Sequence, residues 1–342
     1  MDLYLLIILF LCIFKNKFFI KDINKDYIGK ENSSAIKGIF ILCILFSHSL
    51  SYVSYNDYSF FINKFVLLMG QLVVAMFLFY SGYGVFESYK KKGDKYLETF
   101  PKNRIIKTLI NFDIVIVLYL ILFVIINKTI PVKQTLLSFI GWESLGNSNW
   151  YIFDILVLYF ISYISLLLNN KKASVILTWI LSIILVLFLR VYKFEWWYNT
   201  ILCYPFGMTY SYFKDSINKF IFDKKFNNIK YILFFLVSMF SLYVVRKYVG
   251  VNVFYHELFA IIFCIVILLI TLKVELKNKV LRWFGDNLFW VYILQRIPMI
   301  IFSTFFKLNP YIFFILSFIS TIILSTIVKK EINLLENLKK NK

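Results

Sequence analysis

The stretch Leu308-Asn-Pro-Tyr-Ile-Phe-Phe-Ile-Leu-Ser-Phe-Ile-Ser-Thr-Ile-Ile-Leu-Ser-Thr-Ile-Val328 carries no charged side chain over 21 residues. As an α-helix rising about 1.5 Å per residue, it covers the roughly 30 Å hydrocarbon core of a bilayer. A membrane-spanning strand would alternate apolar and polar residues over about ten positions. Neither this stretch nor the uncharged run from Phe65 to Phe86 alternates in that way, so a closed barrel is excluded in favour of helices.

Similar blocks recur along the 342-residue chain, separated by charged or Asn-rich stretches. They predict an all-α polytopic membrane protein with about 11 transmembrane helices, near 3–20, 35–54, 65–86, 105–126, 149–168, 173–190, 197–213, 230–245, 255–272, 284–306 and 310–328. Asp2 stands where a signal peptide would carry positive charge, so the first block reads as a retained helix. With 60% hydrophobic residues, the chain has far more apolar side chain than a water-soluble domain could bury.

The net charge of +19 would suggest a nucleic-acid partner in a soluble protein, but its placement gives a different answer. With the N-terminus outside and the C-terminus cytoplasmic, 29 of the 38 Lys and Arg fall in cytoplasmic segments. That is the positive-inside asymmetry of a multi-pass cell-membrane protein. The charge then reflects topology and contact with anionic lipid, and no nucleic-acid partner is expected. Cys12, Cys43, Cys203 and Cys264 lack metal-ligand spacing, and no metal is expected.

Ionisable side chains inside a bilayer are costly and mark sites or ion pairs. Lys37 and His48 in the second span, Asp113 in the fourth, Asp154 in the fifth and Arg296 in the tenth qualify. Lys37 and His48 are 11 residues apart. On a helix that is three turns plus about 20°, with a rise of about 16 Å, so they share one face. Spacing alone favours a plainer account, a snorkelling lysine and a hydrogen-bonded core histidine. Depth counting puts Asp154 and Arg296 in the outer half of the membrane, where they could form an ion pair beside His48 or act as structural glue. Asp113 lies nearer the cytoplasm and could balance Lys37 or Lys107. His256-Glu257 reads as an exposed pair at the outer start of the ninth span.

The segment from Ala35 to Ser49, with Lys37, ten further residues and then His48, resembles the opening helix of the membrane acyltransferase-3 family. Phe77-Leu-Phe-Tyr-Ser-Gly-Tyr-Gly84 is similar to the family's aromatic-rich Ser-Gly motif, and Arg104-Ile-Ile-Lys107 to its basic pattern after the cytoplasmic loop. Asn149-Trp150-Tyr151 resembles a family helix start, and Phe284-Gly285 through Tyr292-Ile293-Leu294 its late segment. The chain departs from the pattern in two ways: Gln295 or Arg296 stands near a position where the family often has His, before Pro298, and the span at 3–20 is additional to the usual ten-helix core. Residues 31–330 then correspond to the family's ten-helix membrane domain, residues 1–30 to an added N-terminal helix and linker, and residues 331–342 to a basic cytoplasmic tail.

The resemblance implies an O-acyltransferase that moves an acyl group, expected to be acetyl, from cytoplasmic acyl-CoA to a hydroxyl of a cell-surface polysaccharide or other glycan. His48 and Lys37 would carry catalysis, with His48 as general base or transient acyl carrier. Arg104 and Lys107, with Lys37, would hold the CoA phosphates, assisted by the run Lys90 to Lys92. Ser81 and Tyr83 would line the pantetheine path, while Gly82 and Gly84 equally suit close helix packing. Asn149, Trp150 and Tyr292 would lie toward the acceptor, although Trp150, Trp196 and Trp197 read most simply as an interfacial aromatic belt. The expected partners are membrane lipid, acyl-CoA, a glycan acceptor and polysaccharide-assembly proteins. Two rival functions suit many spans with few buried charges: a transporter or flippase of a lipid-linked glycan, and a non-catalytic membrane subunit of polysaccharide assembly.

Overall fold

The computed structural model describes residues 2–53, 70–223 and 228–340. In chain order they form α1 (Asp2–Ile13), β1 (Lys17–Phe18), α2 (Lys30–Ser49), α3 (Leu72–Lys92) and α4 (Asp94–Phe100). A π-helical turn at Pro101–Ile106 leads into α5 (Lys107–Ile125), followed by α6 (Val132–Phe139), α7 (Trp150–Leu166) and α8 (Lys171–Tyr192). A 3₁₀ turn at Glu195–Trp197 precedes α9 (Cys203–Ile221), α10 (Asn228–Arg246), α11 (Val253–Lys273) and β2 (Val274–Glu275). The chain ends with α12 (Lys279–Asp286), α13 (Leu288–Leu294), α14 (Arg296–Phe305) and α15 (Pro310–Lys340). Among the described residues, seven helical stretches are long and apolar enough to cross a membrane: α3, α4 through α5, α8, α10, α11, α13 through α14, and α15. The protein is an all-α membrane protein.

Several expected spans change shape. The first block, expected at 3–20, stops at Ile13. Lys15 takes a positive φ of 59°, and the Asn16 side chain donates to the carbonyls of Leu11 and Cys12, so polar groups close the helix end before the apolar run is used up. The chain then pairs β1 antiparallel to β2, Lys17 opposite Glu275. The span expected at 197–213 begins only at Cys203 and runs on to Ile221. The span expected at 310–328 continues to Lys340. Residues 65–69 of the third expected span lie outside the described residues.

The largest change concerns 284–306, which is interrupted at Asn287, where a φ of −106° and a ψ of 11° separate α12 from α13, while α13 and α14 run on through a turn at Gln295 as one stretch from Leu288 to Phe305. Broken helices at membrane depth are tolerated where protein packs around them or they line a cavity. Here both conditions hold. Gln295 is fully buried and donates to the Tyr292 carbonyl at 2.8 Å. Asn287 accepts from Lys329 of α15 at 2.7 Å.

Two backbone-to-backbone contacts place the site. A side chain at Gly38 would run into the Leu281 carbonyl, and one at Gly285 into the Ser34 carbonyl, so α2 and α12 cross at the distance only glycine allows. Gly82 and Gly207 do the same for α3 and α9, against Tyr204 and Phe79. Gly84 has no such neighbour; it faces a cavity instead. At the edge of the bundle α10 packs on α11 and buries none of its own residues.

Candidate functional site

The crossing of α2 on α12 sets Lys37 beside Asp286, within range of its charge and of Lys30 and Arg104. Asp286 is itself fixed by a 2.7 Å hydrogen bond from the Ser34 hydroxyl. These side chains open into a cavity of about 800 Å³ walled by α2, α3, the π-helical turn, α5, α7, α12 and α13. Four basic side chains line it, Lys30, Lys37, Arg104 and Lys107, against one acidic side chain, Asp286. An excess of cation in a partly desolvated cleft selects polyanions such as phosphate esters.

The sequence builds this wall at helical spacing. Asn103, Arg104, Lys107, Thr108 and Asn111 recur at three- and four-residue steps and so form one polar stripe facing the cavity. On α3 the matching stripe is Phe77, Ser81, Gly84 and Ser88. Arg104 sits in the π-helical turn that starts at Pro101, an irregularity common at functional sites. Its guanidinium stands 5.8 Å from the Tyr159 ring centroid. Lys107 lines the cavity and also pairs with Glu336 of α15 at 2.6 Å, so Asp113 is not its counterion. Lys90 is committed elsewhere, donating to the Ser211 carbonyl at 2.6 Å and pairing with Glu87.

Further along α2, His48 opens into a second cavity of about 220 Å³, lined also by Cys43, Ile44, Ser47, Gln71, Trp150 and Trp196. Its Nδ1 lies 3.4 Å from the Ser148 hydroxyl. Gln295 and Arg296, at the turn where α13 runs into α14, both lie close enough to act on its charge. The late segment of the chain thus brings polar groups to His48 at the place where the usual histidine is missing.

Tyr292 lines both cavities. Its ring is 6.2 Å from the His48 ring and 5.5 Å, edge-on, from Tyr151. Lys37 and His48, expected on one face from their 11-residue spacing, therefore both turn inward, but into two chambers that meet at Tyr292 rather than into one uninterrupted tunnel.

Not every predicted residue reaches a chamber. Ser81 lines the larger one, whereas Tyr83, two residues or about 200° further round the helix, faces α9. There it lies against Phe79 and Tyr210, with Lys214 5.2 Å from its ring. Asn149 lines neither chamber and instead ties the preceding loop, donating to the Gly141 carbonyl at 2.7 Å. Asp154 and Arg296 form no ion pair. Asp154 is fully buried with neither carboxylate oxygen hydrogen-bonded, and the charge that acts on it is Glu257.

The belt and surface readings also change. Trp150 and Trp196 line the His48 chamber. Trp197 is buried, with Lys193 4.5 Å from its ring. Glu257 is not exposed but buried, accepting from the Leu202 amide at 3.0 Å. Sequence reading missed Asp286, Gln71 and the Asn103–Asn111 stripe; the stripe was detectable as polar residues at helical spacing in an otherwise apolar helix.

A family model described as an acyltransferase domain matches residues 32–330. Neither the curated proteins nor the solved structures gave a significant match.

Proposed function

The chain belongs to the acyltransferase-3 family, and from that premise we propose that it transfers an acyl group, acetyl in the first instance, from cytoplasmic acyl-CoA to a hydroxyl of a cell-surface glycan. The observation that carries the reading is the pair of chambers meeting at Tyr292, one basic and one holding His48. Family membership weighs against the transporter and assembly-subunit alternatives.

In this reading the Lys37 end of the bundle faces the cytoplasm, as the distribution of Lys and Arg along the chain supports. Lys37, Arg104 and Lys107 hold the CoA phosphates, Arg through its planar fork and the lysines as point charges. The pantetheine arm runs past Ser81 toward Tyr292. The rise of about 16 Å from Lys37 to His48 separates the anion site from the reacting centre.

His48 accepts the proton of the acceptor hydroxyl as that oxygen attacks the thioester carbonyl carbon. The carbon–sulfur bond then breaks, the CoA thiolate takes the proton back from the imidazolium, and an oxygen ester and free CoA leave. Ser148 orients the ring through Nδ1, and Gln295 is the second side chain that touches the imidazole. Trp150 and Trp196 offer aromatic faces on which a sugar can stack.

The experiment is deletion of the gene in its host, followed by mass spectrometry of the surface glycan. The reading expects loss of a base-labile acyl ester that wild-type protein restores and His48→Ala, at equal protein level, does not. An unchanged glycan ester content in the deletion strain would overturn it.

A further inference from the structure

The boundary between the two chambers is a single layer. Along α3 the His48 chamber takes Val73 and Val74, and the basic chamber begins at Phe77. Along α7 the change falls between Trp150 and Tyr151, and on α13 Tyr292 belongs to both sides. Phe77, Tyr151 and Tyr292 are therefore the side chains at the crossing point. They touch in series: Phe77 to Tyr151 at 6.1 Å and Tyr151 to Tyr292 at 5.5 Å between centroids, both edge to face. That geometry is the favoured one for aromatic pairs, worth about 0.5–1.5 kcal/mol each beyond area burial. Phe77 and Tyr292 are almost wholly buried.

An acyl group that starts on a thioester in the basic chamber has to pass this layer to meet a hydroxyl at His48. The Tyr292 hydroxyl makes no hydrogen bond within 3.5 Å, and the nearest polar side chain acting on it is Ser148. Phe77 and Tyr151 are held by packing on α3 and α7, and the chamber beyond them is the smaller of the two.

We propose that Phe77, Tyr151 and Tyr292 form a steric gate that sets the length of acyl chain transferred: a short chain such as acetyl passes to His48, and a long one such as octanoyl is held in the basic chamber. The gate rests on the acyl-CoA reading above. It deepens that reading by assigning donor selectivity to residues distinct from the phosphate-binding cations and from His48. The three rings together define the opening.

The test uses permeabilised membrane vesicles from the host, which hold the full-length protein and its own acceptor. They are supplied with acetyl-, butyryl- or octanoyl-CoA labelled in the acyl group, and label in base-labile ester is measured. Wild-type vesicles are expected to incorporate acetyl and leave octanoyl at background. Phe77→Ala is expected to raise the octanoyl-to-acetyl ratio at least about tenfold, the discrimination that small changes in an apolar pocket produce. Because the readout is a ratio within one preparation, partial loss of folded protein cancels. Phe77→Leu, which keeps most of the packing volume, and Tyr151→Leu should shift it in the same direction.

Wild-type use of octanoyl-CoA as readily as acetyl-CoA overturns the gate, as does an unchanged ratio in all three variants. His48-dependent acetyl transfer with unchanged ratios removes the gate and leaves the acyltransferase reading standing. No labelling from any acyl-CoA in wild-type vesicles removes both.

Discussion

The ring of Tyr292 lies 6.2 Å from the imidazole of His48 and at the same time walls the cavity that holds Lys37. One side chain thus separates an anion-binding chamber from the chamber of a base.

His48 is the side chain in its chamber suited to exchange a proton near neutral pH. His48→Ala is expected to lower acyl transfer by about 10²–10⁴-fold, the usual contribution of a general base. Binding of acyl-CoA should stay close to wild type, because the phosphate site lies in the other chamber. Initial rates together with a direct CoA-binding measurement check both halves.

In the proposed mechanism Arg104 and Lys37 act on the donor's charge rather than on the chemistry. Hydrogen bonds to charged groups contribute about 1.5–3 kcal/mol each. Arg104→Ala is therefore expected to raise the acyl-CoA KM roughly 10- to 100-fold, with kcat little altered, and the wild-type KM should rise with salt. Tyr83→Phe, on the α9 side of α3, should leave KM where it was. Steady-state kinetics across a salt series are the measurement.

Lys107 is shared between the basic chamber and Glu336. Both partners are partly exposed, and pairs of that kind contribute about 0–1 kcal/mol to stability. Glu336→Gln is expected to leave the melting temperature unchanged while lowering the acyl-CoA KM, since Lys107 is released to the donor. Thermal unfolding and a KM determination on the same preparation test the two effects.

Gly285 at the α2–α12 crossing and Gly84 on the cavity side of α3 give a contrast. A side chain at Gly285 meets the Ser34 carbonyl, whereas one at Gly84 meets nothing. Overpacking a close contact costs about 1–3 kcal/mol. Gly285→Ala should lower the melting temperature in detergent and weaken CoA binding by pushing α2, which carries Lys37, away from α12 and out of register with the other cations of the cavity, and Gly84→Ala should leave the melting temperature no lower. Parallel thermal melts decide it.

Much of this was legible in the chain because helical geometry converts spacing into direction. The 11 residues between Lys37 and His48 place both on one face, and both do turn inward. The same arithmetic separates Ser81 from Tyr83, a distinction that motif matching alone misses. Depth counting misled for Asp154 and Arg296 because it gives a height in the membrane but not a direction around the bundle. The interruption at Asn287 follows Gly285 by two residues and the turn at Gln295 precedes Pro298 by three, so each had a helix breaker beside it; polar partners in α15 and in the preceding turn stabilise them. The tryptophans followed the aromatic-belt pattern in sequence, yet Trp150 and Trp196 line a chamber that forms only when α2, α3 and α7 come together.

The account stands most directly on where a bound donor lies. A cryo-electron microscopy structure of the full chain with acetyl-CoA should show phosphates within ion-pair distance of Lys37 and Arg104, with the thioester carbonyl carried past Tyr292 toward Nε2 of His48. Phosphates held elsewhere, or an acyl end directed into lipid away from His48, would contradict it.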